Sequence, residues 1–188
     1  RLLAAKNTAS QQSSNQNSSA SVGIGFSLGG SQNGFTLQAG ASSGKGKTDG
    51  NDLFWSNTQL NAGNTLTLQS GGDTTLKGAV ASAPQVIAKV GGHLAIESLQ
   101  DQSTYRSKDQ SAGFSMSLCI PPLCAGAAPV SGSVSASQSK VNSDYASVTE
   151  QSGLRAGDGG FQVTVQGHTD LKAGVISSTQ VAVDQNKN

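Results

Sequence analysis

Cys119 and Cys124, in the segment Cys119-Ile-Pro-Pro-Leu-Cys124, are the residues of this 188-residue chain whose type and spacing most directly invite chemistry. Consecutive prolines restrict φ and bend the backbone, which brings the flanking residues near each other. A disulfide between Cys119 and Cys124 is then geometrically feasible and would point to an oxidising compartment outside the cytoplasm. Metal ligation normally needs four ligands, and no His lies nearby in the sequence. Two free thiols are the third reading, and the ligand count favours the disulfide over the metal.

Other motifs weaken on inspection. Gly44-Lys-Gly-Lys-Thr48 evokes a phosphate loop, but the position that requires the leading Gly is Ala41 and no helix-forming run follows. Such a loop works at a strand-to-helix junction, where a helix N-terminus holds the anion, so a polar turn is the better reading. His93 and His168 each follow a glycine, and Asp73 holds the same position in an aligned repeat. One position that takes both Asp and His reads as a tolerant exposed turn. The acidic residues are scattered without an Asp-x-Asp pair, whereas glycoside cleavage needs two carboxylates with separate roles. The expectation is a protein that is not an enzyme, with no catalytic residue, cofactor or metal site.

The scaffold that carries these residues is legible in composition. With 35% hydrophobic, 4% aromatic and 12% charged residues and 24 glycines, the chain has too few large side chains for an ordinary globular core. A net charge of +1 is also too small for a typical disordered tail. Lys45 and Lys47 form the longest basic cluster along the sequence, which argues against a nucleic-acid partner.

Periodicity supplies the architecture. The phrase at Gly72–Ser82 recurs at Gly167–Ser177, 95 residues later, and within it glycines followed by alternating apolar residues recur about every 20 residues, as at Gly72 and Gly92. Such spacing, filled with short strands and small turn residues, suits the coils of a β-solenoid. Two segments break the pattern. Val22, Ile24, Phe26 and Leu28 alternate with Ser21, Gly23, Gly25, Ser27 and Gly29, and Asn33-Gly34 then precedes Phe35, Leu37 and Ala39. Asn-Gly between alternating runs predicts a hairpin turn. Phe114, Met116 and Leu118, then Val130 and Val134, repeat that division against serines.

The expected organisation is a partly disordered lead-in over 1–20, a hairpin over 21–43, coils over 47–102, a hairpin with the cysteine tip over 112–137, and coils over 140–188. Each apolar hairpin face has the period of a membrane-spanning β-strand, and would either cover the flank of the solenoid or meet a membrane. Arg1 is not an initiator Met, no secretory leader or apolar run long enough to span as a helix is present, and the coil pattern still runs near Val175–Val183. The chain reads as a slice of a longer protein.

Three phrases carry a family resemblance: Asn64-Thr-Leu-Thr-Leu-Gln-Ser-Gly-Gly-Asp-Thr-Thr-Leu-Lys-Gly-Ala, Val90-Gly-Gly-His-Leu-Ala-Ile-Glu-Ser-Leu-Gln-Asp101, and Lys140-Val-Asn-Ser-Asp-Tyr-Ala-Ser-Val-Thr-Glu-Gln-Ser-Gly153. They resemble the haemagglutinin repeats of filamentous haemagglutinin-like exoproteins of two-partner secretion, including the second filamentous haemagglutinin region of contact-dependent growth inhibition effectors. The resemblance spans about Ala20 to Ser178, and the Cys119–Cys124 tip departs from the usual Gly- and Ser-rich one. It implies a right-handed parallel β-helix with protruding hairpins in a protein that passes the periplasm and reaches the bacterial surface. It further implies an outer-membrane secretion pore as partner and a role in moving a toxin across the target cell's outer membrane. The alternative is an adhesin module that binds a glycan or protein receptor. Phe54-Trp55 is the adjacent aromatic pair on which a sugar would stack, and it serves equally to close one end of the core.

Overall fold

Short apolar alternations punctuated by glycine give strands too short to bury a face alone, so the chain must return and lay each strand beside an earlier one. A computed structural model describes residues 1–28, 32–126 and 129–188. In chain order its elements are β1 (Leu2–Leu3), β2 (Ala5–Ser27), β3 (Gln32–Ser56), β4 (Thr58–Asn61), β5 (Thr65–Ser70), β6 (Thr74–Lys77), β7 (Ala79–Val90), β8 (Leu94–Glu97), β9 (Asp101–Gly126), β10 (Val130–Ser147), β11 (Gly153–Val165), β12 (Thr169–Lys172), β13 (Val175–Ser177) and the helix α1 (Gln180–Asp184). The described chain is thus nearly all β. It divides into two units, one of Arg1–Ala9, Asp52–Ser103 and Asp144–Asn188, the other of Ser10–Asn51 and Thr104–Ser143.

In the first unit the strands pair in parallel at the spacing the sequence announces. Thr65 lies beside Gln85 and Thr74 beside Leu94, each 20 residues on, and Thr58 lies beside Ala79. Pairing continues in the same sense from β7 to β11, from β8 to β12 and from β11 to β13. Two sheets result, β1-β6-β8-β12 and β13-β11-β7-β4, with β5 also on β7, and neither closes on itself. Leu76, Val86, Leu94, Ile96 and Leu154 lie wholly buried between them, together with the alanines of β7. Each such side chain contributes roughly 1.5–3 kcal/mol by leaving water, so a narrow core of few large residues suffices when it is repeated.

The 95-residue repeat is structural as well as sequential. Leu76-Lys77 pairs with Leu2-Leu3 on one side and with Ile96-Glu97 on the other, so Leu3 and Glu97 hold the same place. After each, the chain leaves for a long pair of strands, β2 with β3 or β9 with β10, and returns into β4 or β11. Gly78 turns the backbone between β6 and β7 with φ +62°, and Ala173 does the same after β12 with φ +51°. The second copy therefore keeps a left-handed corner although its sequence has exchanged Gly-Ala for Ala-Gly.

A buried polar knot closes this corner where β10 leads into β11. The Ser152 hydroxyl donates to the Glu97 carbonyl at 2.8 Å and accepts from the Ala79 N–H at 3.1 Å. The Ser152 N–H donates to the Ser98 hydroxyl at 2.9 Å, and that hydroxyl donates to the Ala173 carbonyl at 2.6 Å. Ser152→Ala removes the hydroxyl and strips the Ala79 N–H of its partner, while the Glu97 carbonyl keeps the Gly78 N–H at 2.9 Å, which should cost about 1–3 kcal/mol. Urea unfolding checks this as a lowered midpoint with an unchanged slope. Glu97 also ties three strands from outside, accepting Lys77 at 2.9 Å and Lys172 at 3.5 Å. The hydrogen bond from Lys77 holds its carboxyl below the ordinary range against partial desolvation, and Lys172 adds to the effect.

Several sequence-derived boundaries change. Residues 1–20 are not a disordered lead-in: β2 starts at Ala5. Asparagine and serine hold a strand here through cross-strand side-chain bonds, Asn7 to Ser56 and Ser19 to Ser42. For the same reason the hairpin units reach Ser10–Asn51 and Thr104–Ser143 rather than 21–43 and 112–137. Asn33-Gly34 is not the turn, because β3 already begins at Gln32; Gly29, also invoked there, lies outside the described residues. Gly34 instead has φ +114° and passes so close to the Leu123 carbonyl that a Cβ would lie 2.2 Å from it. The last stretch is not a coil: Thr179 caps α1 and Ala182 buries its one apolar contact.

Candidate functional site

The second unit is built almost wholly from small and polar residues, and its side-chain bonds fix its register. Strand order is β10-β9-β3-β2. Ser19 meets Ser42 across β2 and β3, Thr48 meets Ser107 across β3 and β9, and Ser111, Ser115 and Ser117 meet Ser137, Ser133 and Ser131 across β9 and β10. With Gly25 beside Thr36 across β2 and β3, and Gly40 beside Ser115 across β3 and β9, partner numbers fall as the first numbers rise, so neighbouring strands run antiparallel. The register holds without a slip over these positions, which keeps every second residue of all four strands on one face.

On one face lie Val22, Ile24 and Phe26 of β2, Phe114, Met116 and Leu118 of β9, and the odd-numbered apolar residues of β3 between them. Val22, Ile24 and Phe26 are 77%, 78% and 59% exposed, and Leu28, just past the end of β2, is 81% exposed. Phe114 and Met116 are exposed and Leu118 is half-buried. Phe26 and Phe35 place their rings 5.0 Å apart, a favourable aromatic cross-strand pair. The register sets Ala39 opposite both Val22 and Met116, so the two hairpin faces foreseen separately in the sequence form one continuous apolar surface. Sequence reasoning named Val134 but missed Ile120 and Leu123 as parts of the exposed apolar set. Period two extended through Ile120 was the available signal for the first of them.

The other face is its chemical opposite. Ser115–Ser133 and Ser117–Ser131 hydroxyl pairs at 2.7 and 2.8 Å form a ladder, bordered by Ser21, Gly23 and Gly40 in a shallow trough. The described sheet thus has hydrocarbon on one side and hydroxyl and glycine on the other.

Cys119 and Cys124 are joined by a disulfide at the end of this sheet, with Cα atoms 5.3 Å apart. Cys119 N–H donates to the Pro129 carbonyl at 2.8 Å, and Cys124 is buried against Gly34. The bridge closes only a short loop, which in the chain-entropy account contributes about 2–3 kcal/mol. Cys119→Ser with Cys124→Ser should therefore raise hydrogen exchange at residues 119–124 and leave the unfolding of the first unit within about 1 kcal/mol of the parent. Equal loss of protection in β7 and β8 would contradict this local role.

The histidines sit on exposed turns, but they do more than occupy them. Asp73 Oδ1 accepts the His93 N–H at 2.8 Å, and His93 Nδ1 accepts the His168 N–H at 2.9 Å. The two rings stack with centroids 5.1 Å apart. Asp and His interchange at this position because either offers an acceptor to the backbone of the next strand. The Lys45–Lys47 segment lies in β3 and not beside a helix. Trp55 is half-buried, its backbone N–H donating to Asp101 Oδ1 at 2.8 Å, beside an exposed Phe54. Among the described residues no three His, Cys, Asp or Glu side chains are grouped to hold a metal ion, and no helix is long and apolar enough to cross a membrane.

Comparison with known proteins places this geometry. A family model described as hemagglutinin repeat matches residues 1–112. The Deoxyribonuclease CdiA of Dickeya dadantii (strain 3937) is 41% identical over 99% of this chain and 5% of its own length. A Toxin CdiA of Escherichia coli is 43% identical over 95% of the chain and 6% of its own length. The tRNA nuclease CdiA of Escherichia coli O6:K15:H31 (strain 536 / UPEC) is 40% identical over 95% of the chain and 5% of its own length. The chain thus spans about a twentieth of these relatives, and what it matches is a haemagglutinin repeat, not a nuclease domain. No solved structure matches. The chain belongs to the hemagglutinin-repeat family, in the filamentous haemagglutinin-like, contact-dependent inhibition exoproteins that are secreted to the cell surface.

Proposed function

We propose that this segment is a non-catalytic delivery element, in which a right-handed parallel β-helix carries a four-stranded sheet that enters the target cell's outer membrane as a toxin is transferred. The parallel pairings at 20-residue steps support the β-helix, and its hand follows from the strong preference of parallel crossovers for the right-handed sense. The observation that carries the function is the exposed apolar face of the sheet, with Ser and Gly on the reverse. Lipid-facing strands show this period-two division, and Ala20 to Leu28 spans about 27 Å at the rise of a strand, the height of a hydrocarbon layer. The disulfide Cys119–Cys124 staples the leading end.

On this reading the full-length protein meets two partners, the outer-membrane pore through which it is secreted and the target-cell outer membrane, and the toxic activity lies elsewhere in the protein. The test is a competition between producer and target cells with Ile24→Asp/Phe26→Asp in the full-length effector. Loss of killing with secretion and attachment intact supports delivery. Loss of attachment would support the adhesin reading instead.

A further inference from the structure

The apolar face does not end in neutral residues. The Thr48–Ser107 bond places Lys47 opposite Lys108, and the Ser111–Ser137 bond places Lys108 opposite Lys140. Parity puts all three on the same face as Leu37, Met116 and Val134. Lysines far apart in sequence thus form one row across β3, β9 and β10, and Lys45 lies on the same face one step nearer the apolar band. All four are exposed. Like charges directly opposite one another destabilise a sheet, so such a row is a liability unless an anion lies against it.

The neighbouring carboxylates offset it only in part. Asp49, one step beyond Lys47 on the same strand face, pairs with Lys47 at 3.1 Å, and Arg106 stands opposite Asp49 in the register. Asp109 points to the reverse face. Within Ser10–Asn51 and Thr104–Ser143 the carboxylates are Asp49 and Asp109, against Lys45, Lys47, Arg106, Lys108 and Lys140. This unit is therefore basic although the whole chain is nearly neutral.

We propose that Lys47, Lys108 and Lys140 form a girdle that binds phosphate headgroups of an anionic lipid leaflet; this rests on the reading that the adjoining apolar face enters a membrane. Position favours a lipid over other polyanions. Along β9 the residues on this face are apolar from Ile120 to Ala112, about 27 Å; Gln110 and Lys45 follow, and the lysine row comes next. That is the order of hydrocarbon, interface and headgroup, and lysine stems bridge such a boundary while keeping their ammonium groups in water.

The test measures binding of the 188-residue chain to phosphatidylcholine vesicles with and without phosphatidylglycerol, for the parent, Lys47→Gln/Lys108→Gln/Lys140→Gln, and Ile24→Asp/Phe26→Asp. Phosphatidylglycerol should strengthen binding of the parent in a salt-sensitive way. The triple Gln variant should lose that gain, on the order of a hundredfold for three lysines at an anionic surface, and keep the parent's affinity for neutral vesicles. Equal binding of the triple variant and parent to anionic vesicles would overturn the girdle while leaving the apolar reading in place. Loss of the phosphatidylglycerol gain in the triple variant, with undiminished vesicle binding by the Asp pair, would uphold the girdle and refute the apolar reading. Tighter binding of a DNA duplex than of anionic vesicles would overturn the lipid assignment.

Discussion

Ile96→Asp is expected to abolish the cooperative unfolding transition of the 188-residue chain. Ile96 is 1% exposed in β8, flanked by β6 and β12 with Leu76 and Leu171 in register. Its Cγ2 already lies 2.6 Å from where a Cβ on Gly174 would stand, so the surrounding backbone leaves little room to rearrange. Truncating such a residue costs about 2–5 kcal/mol, and an unpaired carboxylate in the vacated space adds a further penalty. The sum approaches the whole stability of a domain, roughly 5–15 kcal/mol. Because β8 lies between β6 and β12 and pairs with both, the loss spreads to those strands. Thermal unfolding followed by far-UV circular dichroism should show no sigmoidal transition for Ile96→Asp. Ala95→Lys, one residue away on the less buried side of the strand and beside Asp170 in register, should melt close to the parent. A sharp Ile96→Asp transition within a few degrees of the parent would mean that the core is not where these sheets place it.

The first unit was legible because its signals are local. Leu94 and Ile96 alternate with Ala95 and Glu97, glycines mark the turns, and a 20-residue spacing needs only counting. The 95-residue echo likewise became Thr74–Lys77 in one copy and Thr169–Lys172 in the other. The second unit was less legible because its pairing is long-range and its residues are nearly interchangeable. Ser, Gly and Ala give no pattern that tells β3 to lie beside β9, so the shared face and the lysine row appear only once the register is known. Residues 1–20 looked disordered because composition reports polarity, whereas cross-strand bonds such as Ser19 to Ser42 report partners. Asn33-Gly34 misled because a left-handed glycine serves a close backbone approach as well as a turn. The aligned Asp73 and His93 showed tolerance, but not the acceptor role that explains it.

The second large effect is expected at the apolar face. Ile24 and Phe26 project from the same side of β2 and are mostly exposed, so Asp at both positions removes the Phe26–Phe35 ring pair but no buried core and should leave the 188-residue chain folded. On a lipid-facing strand a Lys or Arg at mid-layer costs about 2–4 kcal/mol and an Asp less, so the pair together disfavours insertion by on the order of a hundredfold. Ser21→Asp, on the hydroxyl and glycine face of the same strand, places a charge where water remains and should be tolerated.

The most direct measurement follows these variants in the full-length effector, scoring secretion, attachment to target cells and killing of those cells in parallel. The account predicts normal secretion and attachment for all, killing near the parent level for Ser21→Asp, and killing reduced to that of a toxin-free control for Ile24→Asp/Phe26→Asp. Undiminished killing by the Ile24→Asp/Phe26→Asp effector would contradict it, because the exposed face would then have no part in crossing the target membrane.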